Sequence, residues 1–368
     1  MPKLKVDFVA ELDPAKTIPR LNALTKLMPF ADARAVAFGW AAGSDYSHMT
    51  ERYWFADIRR DGVSLRLLPI ALTERFNLLA DRSPNSDGGT LKIRAFKLGQ
   101  AVGLLLGTQE IHLFSDIHCE PQVIAVENHF ALLGAPRVPR SPRDSHWLPD
   151  QCGNPSGNVV PVILSSPADE PGEGRHVALL EIDADAGSAR WKGLGEDGLP
   201  CATRREDFAS FTTDDIPGGA RLDTQQGLVF DQPPVLSDCT WVDGRWRLYS
   251  PGFRRPHPRY GSATGPCVLS AHRRDLSMER ALYQAGEYSL ARLCASHDRA
   301  IVTPLNKTGP LKGRQTVFDF AAGNGEQPVA LPRGYAKHHV EEFFDGTWWM
   351  LPMQIGFGSD RVIACTGD

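Results

Sequence analysis

CTWVDGRWRLYSP (Cys239–Pro251) and EEFFDGTWWMLP (Glu341–Pro352) carry the reading of the fold. Each is an apolar run, an Asp-Gly pair, and a second apolar run that stops at proline. Asp-Gly between alternating runs is the strongest local signal for a two-residue β-turn, so both read as β-hairpins. The pattern recurs. WFADIRRDGVSLRLLP turns at Asp61-Gly62 and LLEIDADAGSARW near Ala186-Gly187. GLLLGTQEIHLF turns at Gly107-Thr108, and VIAVENHFALLG at Glu127-Asn128.

The run ends at Pro69, Pro136, Trp191, Pro251, Pro304 and Pro352 lie 48 to 67 residues apart. A period of that length, with about two hairpins in each, suits the four-stranded blades of a β-propeller. Six periods nearly fill the 368 residues, and five or seven also fit; a pair of β-sandwich domains is the structural alternative. The fold expected is all-β, a single propeller over residues 1–368. Leu4, Val6 and Phe8 alternate inward and pair with Val362–Cys365 to close the ring. Closure removes the aggregation-prone edge of an open sheet. Three short helices are expected as insertions: residues 17–28, residues 71–81, and residues 275–285, the last as helix or strand pair.

Composition agrees. The chain has 34 glycines and 28 prolines, about a sixth of its length, which favours turns over long helices. A net charge of −4 argues against a broad basic face for nucleic acid or anionic lipid. The seven cysteines are scattered and form no CxxC, so they read as reduced thiols. Asp7 and Glu11 interrupt any apolar leader, and the apolar run Ala101–Leu106 is far too short to span a membrane. A cytoplasmic protein is expected.

No motif names a cofactor or a metal. GLGEDG (Gly193–Gly198) matches GxGxxG in letters, but Leu199-Pro200 follows where a phosphate-binding helix would start, so it reads as a turn. SPNSDGG (Ser83–Gly89) resembles the Asp-box turn of sialidase-like propellers, one residue short and without its tryptophan; in that setting the turn is structural.

Three functional readings follow. The first is a non-catalytic propeller that binds another macromolecule, favoured as a protein, through one face, as an adaptor, inhibitor or immunity-type protein. Proline keeps the arginine-bearing segments PRVPRSPR and FRRPHPR extended, displaying Arg137, Arg140, Arg254 and Arg255 for bidentate pairing with carboxylates or phosphates. Trp241 and Trp348 join them as candidate binding residues. The second reading is a glycoside hydrolase-like enzyme. Asp32, Asp238 and Glu342 each stand near the start of a predicted strand; on innermost strands they would line the central shaft as catalytic carboxylates. The tryptophans of the same hairpins would face the sugar. The third is a metal-dependent enzyme using His112, His118, Cys119, Glu120 and His129.

Overall fold

The computed structural model describes residues 3–13, 24–41, 52–72, 93–127, 148–165, 176–192, 201–202, 238–250, 254–255, 263–264, 266–272, 278–287, 289–304, 315–320, 327–352 and 361–367. Strand β1 (Leu4–Glu11) precedes a first antiparallel meander of β2 (Leu24–Phe30), β3 (Arg34–Ala41), β4 (Arg52–Arg59) and β5 (Gly62–Leu67). The second blade is β6 (Ile93–Leu98), β7 (Ala101–Leu106), β8 (Glu110–Phe114) and β9 (Gln122–Glu127). The third is β10 (Leu148–Cys152), β11 (Val159–Ser165), β12 (His176–Asp183) and β13 (Ser188–Lys192), with the short β14 (Cys201–Ala202) beside β12.

The fourth blade starts with β15 (Asp238–Val242) and β16 (Arg245–Ser250). A small hairpin of β17 (Arg254–Arg255) and β18 (Ala263–Thr264) follows, and β19 (Pro266–His272) and β20 (Met278–Glu287) complete the sheet. The fifth is β21 (Ser289–Leu293), β22 (Arg299–Pro304), β23 (Thr316–Asp319) and β24 (Gln327–Pro328). The sixth is β25 (His338–Phe344), β26 (Thr347–Pro352), β27 (Arg361–Gly367) and β1, which returns from the start of the chain. The described residues thus form six four-stranded blades. The outer strands β9 and β13 of the second and third also pair in parallel at Val126–Ala189, which joins those two blades into one sheet.

Burial explains why the strands are apolar on both faces. Six apolar clusters lie one at each interface between neighbouring blades, from first–second through sixth–first, and so run around a ring. On β7, Val102, Leu104 and Leu106 pack toward the first blade, while Leu105 packs toward the third. Each fully buried aliphatic or aromatic side chain contributes about 1.5–3 kcal/mol. The Asp-Gly turns form as the sequence requires. Asp243 and Gly244 have φ of 53° and 75°, and Asp345 and Gly346 have 48° and 74°, the paired positive values of the hairpin turn whose twist matches the strands.

Two expectations are corrected and one open alternative is decided. Leu24–Met28, expected within a helix, belongs to strand β2. Spacings of three and four on so short a run fit either period, and pairing with Arg34–Gly39 plus burial on both faces decides for the strand. Of the two states offered for 275–285, the described part takes the strand: Met278–Glu287 is β20, paired with β19 through three register shifts. Val6 does not point inward: it is 36% exposed, while Leu4 is buried. The expected helix at 71–81 lies outside the described residues beyond Leu72.

Deleting residues 1–10 is expected to lower stability by several kcal/mol, since it removes the outer strand of the sixth blade and the buried Leu4 and Ala10. Chemical denaturation reads the loss, and an unchanged midpoint would mean that β1 adds nothing to the ring.

Candidate functional site

The first strand of each blade faces the ring centre, and the turns after these strands gather on one face. There they enclose a cavity of about 290 Å3. Its wall comes from five blades: Lys26, Met28 and Pro29 of β2, Phe96, Lys97 and Gly99 at the end of β6, and Gly153, Asn154, Pro155 and Gly157 after β10. Ala295, Ser296 and His297 after β21, and Phe344 of β25, complete it.

The charged groups of this wall are cationic. Lys97 Nζ donates to the Pro29 carbonyl at 2.9 Å and lies 3.6 Å from the Phe344 ring centroid. Burial pulls the Lys97 pKa down to about 8, and the nearby Glu342 and Asp345 carboxylates oppose that shift. Lys26 Nζ donates to the Cys152 carbonyl at 3.3 Å. Among the described residues neither ammonium is ion-paired with a carboxylate and no acidic residue lines the cavity.

Two of the three sequence-predicted acids stand behind this wall. Asp238 and Glu342 open or lie within innermost strands, as the sequence suggested, but both are buried. The two oxygens of Asp238 accept from Cys239 N at 2.9 Å and from Leu293 N at 2.8 Å. Glu342 Oε1 accepts from Ala295 N at 2.8 Å and from Phe343 N at 3.1 Å. The end of β21 is therefore clamped by a carboxylate from the blade on either side. Asn154 adds a third tie, donating to the Leu293 carbonyl at 2.8 Å. Burial raises both acids' pKa values, Glu342 to about 7. Buried main-chain amides need such partners, and here the carboxylates supply them.

His297 is occupied as well. Its Nε2 faces the Pro155 carbonyl at 2.9 Å, which can only accept, so Nε2 carries the proton. Nδ1 then accepts from the Thr240 hydroxyl at 2.8 Å. Burial lowers its pKa, which keeps the ring neutral. The buried thiols offer no nucleophile either: burial pushes Cys152 up to about 12 and drives Cys239 and Cys294 well above the ordinary thiol value.

The remaining candidates are dispersed. Asp32 sits exposed in the β2–β3 turn at φ 59°, in a separate groove with Arg34, Arg59, Arg60 and Asp61. Trp241 is half-buried edge-on to Trp246, with ring centroids 5.0 Å apart, and Trp348 is buried against Phe343 at 4.4 Å. Both tryptophans pack in interfaces between blades. Arg254 and Arg255 form β17, with side chains outside the described set, and Arg137 and Arg140 lie outside the described residues.

The histidine group does not converge. His112 bonds Glu110, His118 bonds Ser64 at 2.7 Å, and Glu120 pairs with Arg66 at 3.2 Å. His129, the 193–198 turn and the 83–89 turn lie outside the described residues. Among the described residues no cluster of three or more metal-ligating side chains occurs.

Sequence reading missed Lys26, Lys97, Asn154 and His297. Lys26 was absorbed into the expected helix. Lys97 and His297 stand among apolar or turn residues with no motif around them; only the end of a blade's first strand marks their place.

No family model and no curated protein matches the chain. Solved structures do. The α-L-arabinofuranosidase Arb93A from Fusarium graminearum, solved with an iminosugar inhibitor, aligns over 99% of this chain and 98% of its own with a TM-score of 0.51 and 7% identity. The α-L-arabinanase of Penicillium chrysogenum complexed with arabinobiose aligns over the same shares at 0.49 and 9% identity. Ycf48 bound to a D1 peptide aligns over 99% and 97% at 0.40 and 9%. At such identities the likeness is one of fold, and the chain is a β-propeller.

Proposed function

We propose that this propeller is non-catalytic and binds another macromolecule through one face, as an adaptor, inhibitor or immunity-type protein. The observation that carries this reading is the state of Asp238 and Glu342. Glycoside hydrolysis needs two carboxylates flanking the scissile bond across an open site. Here both acids are enclosed and hold main-chain amides of the neighbouring strand. The open centre presents ammonium groups instead.

The arginine segments are the proposed docking residues. The β17–β18 hairpin joins the second and third strands of its blade, and residues 128–147 join the last strand of one blade to the first of the next. In an up-and-down meander both kinds of connection leave from the same end of the strands, opposite the turns around the cavity. That supports one face bearing Arg137, Arg140, Arg254 and Arg255. Planar guanidinium forks in pairs suit a partner rich in carboxylates or phosphates.

The test compares R140E/R254E with Glu342→Gln. The double arginine variant is expected to lose the macromolecule that co-purifies with the wild type from its source cells, while Glu342→Gln retains it. Cleavage of glycosides by the wild type that Glu342→Gln abolishes, with the arginines dispensable, would overturn the reading; loss of general acid catalysis typically costs about 10²–10⁴-fold in rate.

A further inference from the structure

The central cavity lies among the turns after the first strands, on the face opposite the β17–β18 hairpin, so what it holds is a separate question from the macromolecular partner. Two lysines from adjacent blades reach one central space with no carboxylate on its wall among the described residues. Each ammonium has three donors, and one is accounted for by a main-chain carbonyl: Pro29 for Lys97 and Cys152 for Lys26. Lys97 also faces the Phe344 and Phe30 rings, at 3.6 and 4.9 Å from their centroids, and a half-buried ammonium is best stabilised where an anion meets it. Three of the nearby acids are already engaged. Glu342 and Asp238 hold amides behind the wall, and Asp298 accepts from the Ser296 hydroxyl. Asp345 lies in the β25–β26 turn beyond Phe344.

The rest of the lining says what the anion is attached to. Phe344 gives the same cavity an apolar wall, Met28 and Phe96 border it while buried between blades, and Gly99, Gly153 and Gly157 keep side chains out of it. About 290 Å3 is at the small end of the range for small-molecule sites.

We propose that the central cavity binds a small oxyanion, a carboxylate or phosphoryl group carried on a compact apolar body, with Lys26 and Lys97 pairing the charge and Phe344 packing the body. Ser296 and Asn154 also line the cavity; His297, with both nitrogens engaged, forms wall and takes no part in the pairing.

Titration calorimetry on the full chain with benzoate, phenyl phosphate and benzamide tests this. One or both anions are expected to bind, and neutral benzamide of the same shape at least tenfold more weakly. Lys26→Met and Lys97→Met should each weaken the preferred anion by about 10–100-fold, the scale of a charge-assisted hydrogen bond. Both variants replace a half-buried charge by an apolar chain of similar length, so they should melt no lower than the wild type. Arg34→Met, in the neighbouring groove, should leave the affinity unchanged. Benzamide binding as well as benzoate, anion binding that survives in the double lysine variant, or no binding of either anion would each overturn the proposal.

Discussion

Glu342→Gln is expected to match the wild type in stability near pH 4.5 and to exceed it by about 3 kcal/mol near pH 8. The glutamine carbonyl can replace Oε1, which alone receives both Ala295 N and Phe343 N, so the clamp on β21 survives. The charge does not. Burial raises the Glu342 pKa from an ordinary 4.5 to about 7. Between those values the folded chain keeps a proton that the unfolded chain releases. Stability therefore falls as pH rises through this window, and the whole loss is present above it. A neutral amide escapes that penalty. His297, His338 and His339 have lowered pKa values and titrate with the opposite sign below about 6.5, but they do so in both proteins and cancel in the difference.

Asp238→Asn should behave differently, because its two oxygens serve two different amides. An asparagine must turn its NH2 toward one of them, which leaves a buried donor facing a donor and costs about 1–3 kcal/mol. Denaturant titrations of both variants at pH 4.5 and pH 8 check the pair. A Glu342→Gln difference that does not change with pH would mean the carboxylate is not held protonated by burial.

These two acids also show where sequence reading stops. The hairpins of the fourth and sixth blades were legible because Asp-Gly turns punctuate them, and the structure gives each turn the positive φ values such pairs adopt. The blade period was legible for a looser reason. Pro251, Pro304 and Pro352 end or follow second strands, whereas Pro69 and Trp191 follow or belong to outermost strands. The ends came from different positions in the blade, yet their mean spacing still matched the blade length. Side-chain direction was not legible. Asp238 and Glu342 do sit on innermost strands, but whether a carboxylate meets the channel or a neighbour's main chain depends on a contact with β21, some 50 residues away. No local pattern encodes that. The helix expected at 17–28 failed over Leu24–Met28 for the same reason: the partner strand and two buried faces, not the local period, set its state.

Gly153→Ala is expected to cost about 3 kcal/mol or more, because the methyl group has no place to go. Gly153 follows β10 at the cavity wall and donates its N–H to the Pro161 carbonyl at 2.8 Å. A Cβ there would fall 1.9 Å from the Cys239 carbonyl oxygen, 2.8 Å from the carbonyl carbon and 2.9 Å from the sulfur. Main-chain atoms of β15 cannot swing aside as the end of a flexible side chain could. They are fixed by Asp238 on the Leu293 amide, by the Thr240–His297 bond and by the Asn154–Thr240 bridge. The third and fourth blades would have to part, opening the cluster of Ile163, Val177, Leu179, Cys239, Trp246 and Leu248 between them. Gly157, on the same cavity wall, separates this cause from conformational strain: its φ is +60° and nothing lies within 4 Å of an added Cβ. Gly157→Ala should therefore cost only about 1–2 kcal/mol, the penalty of a left-handed alanine. Thermal melts of the two variants side by side give the answer. Equal losses would mean that the approach of the two blades at Cys239 is not what requires glycine at position 153.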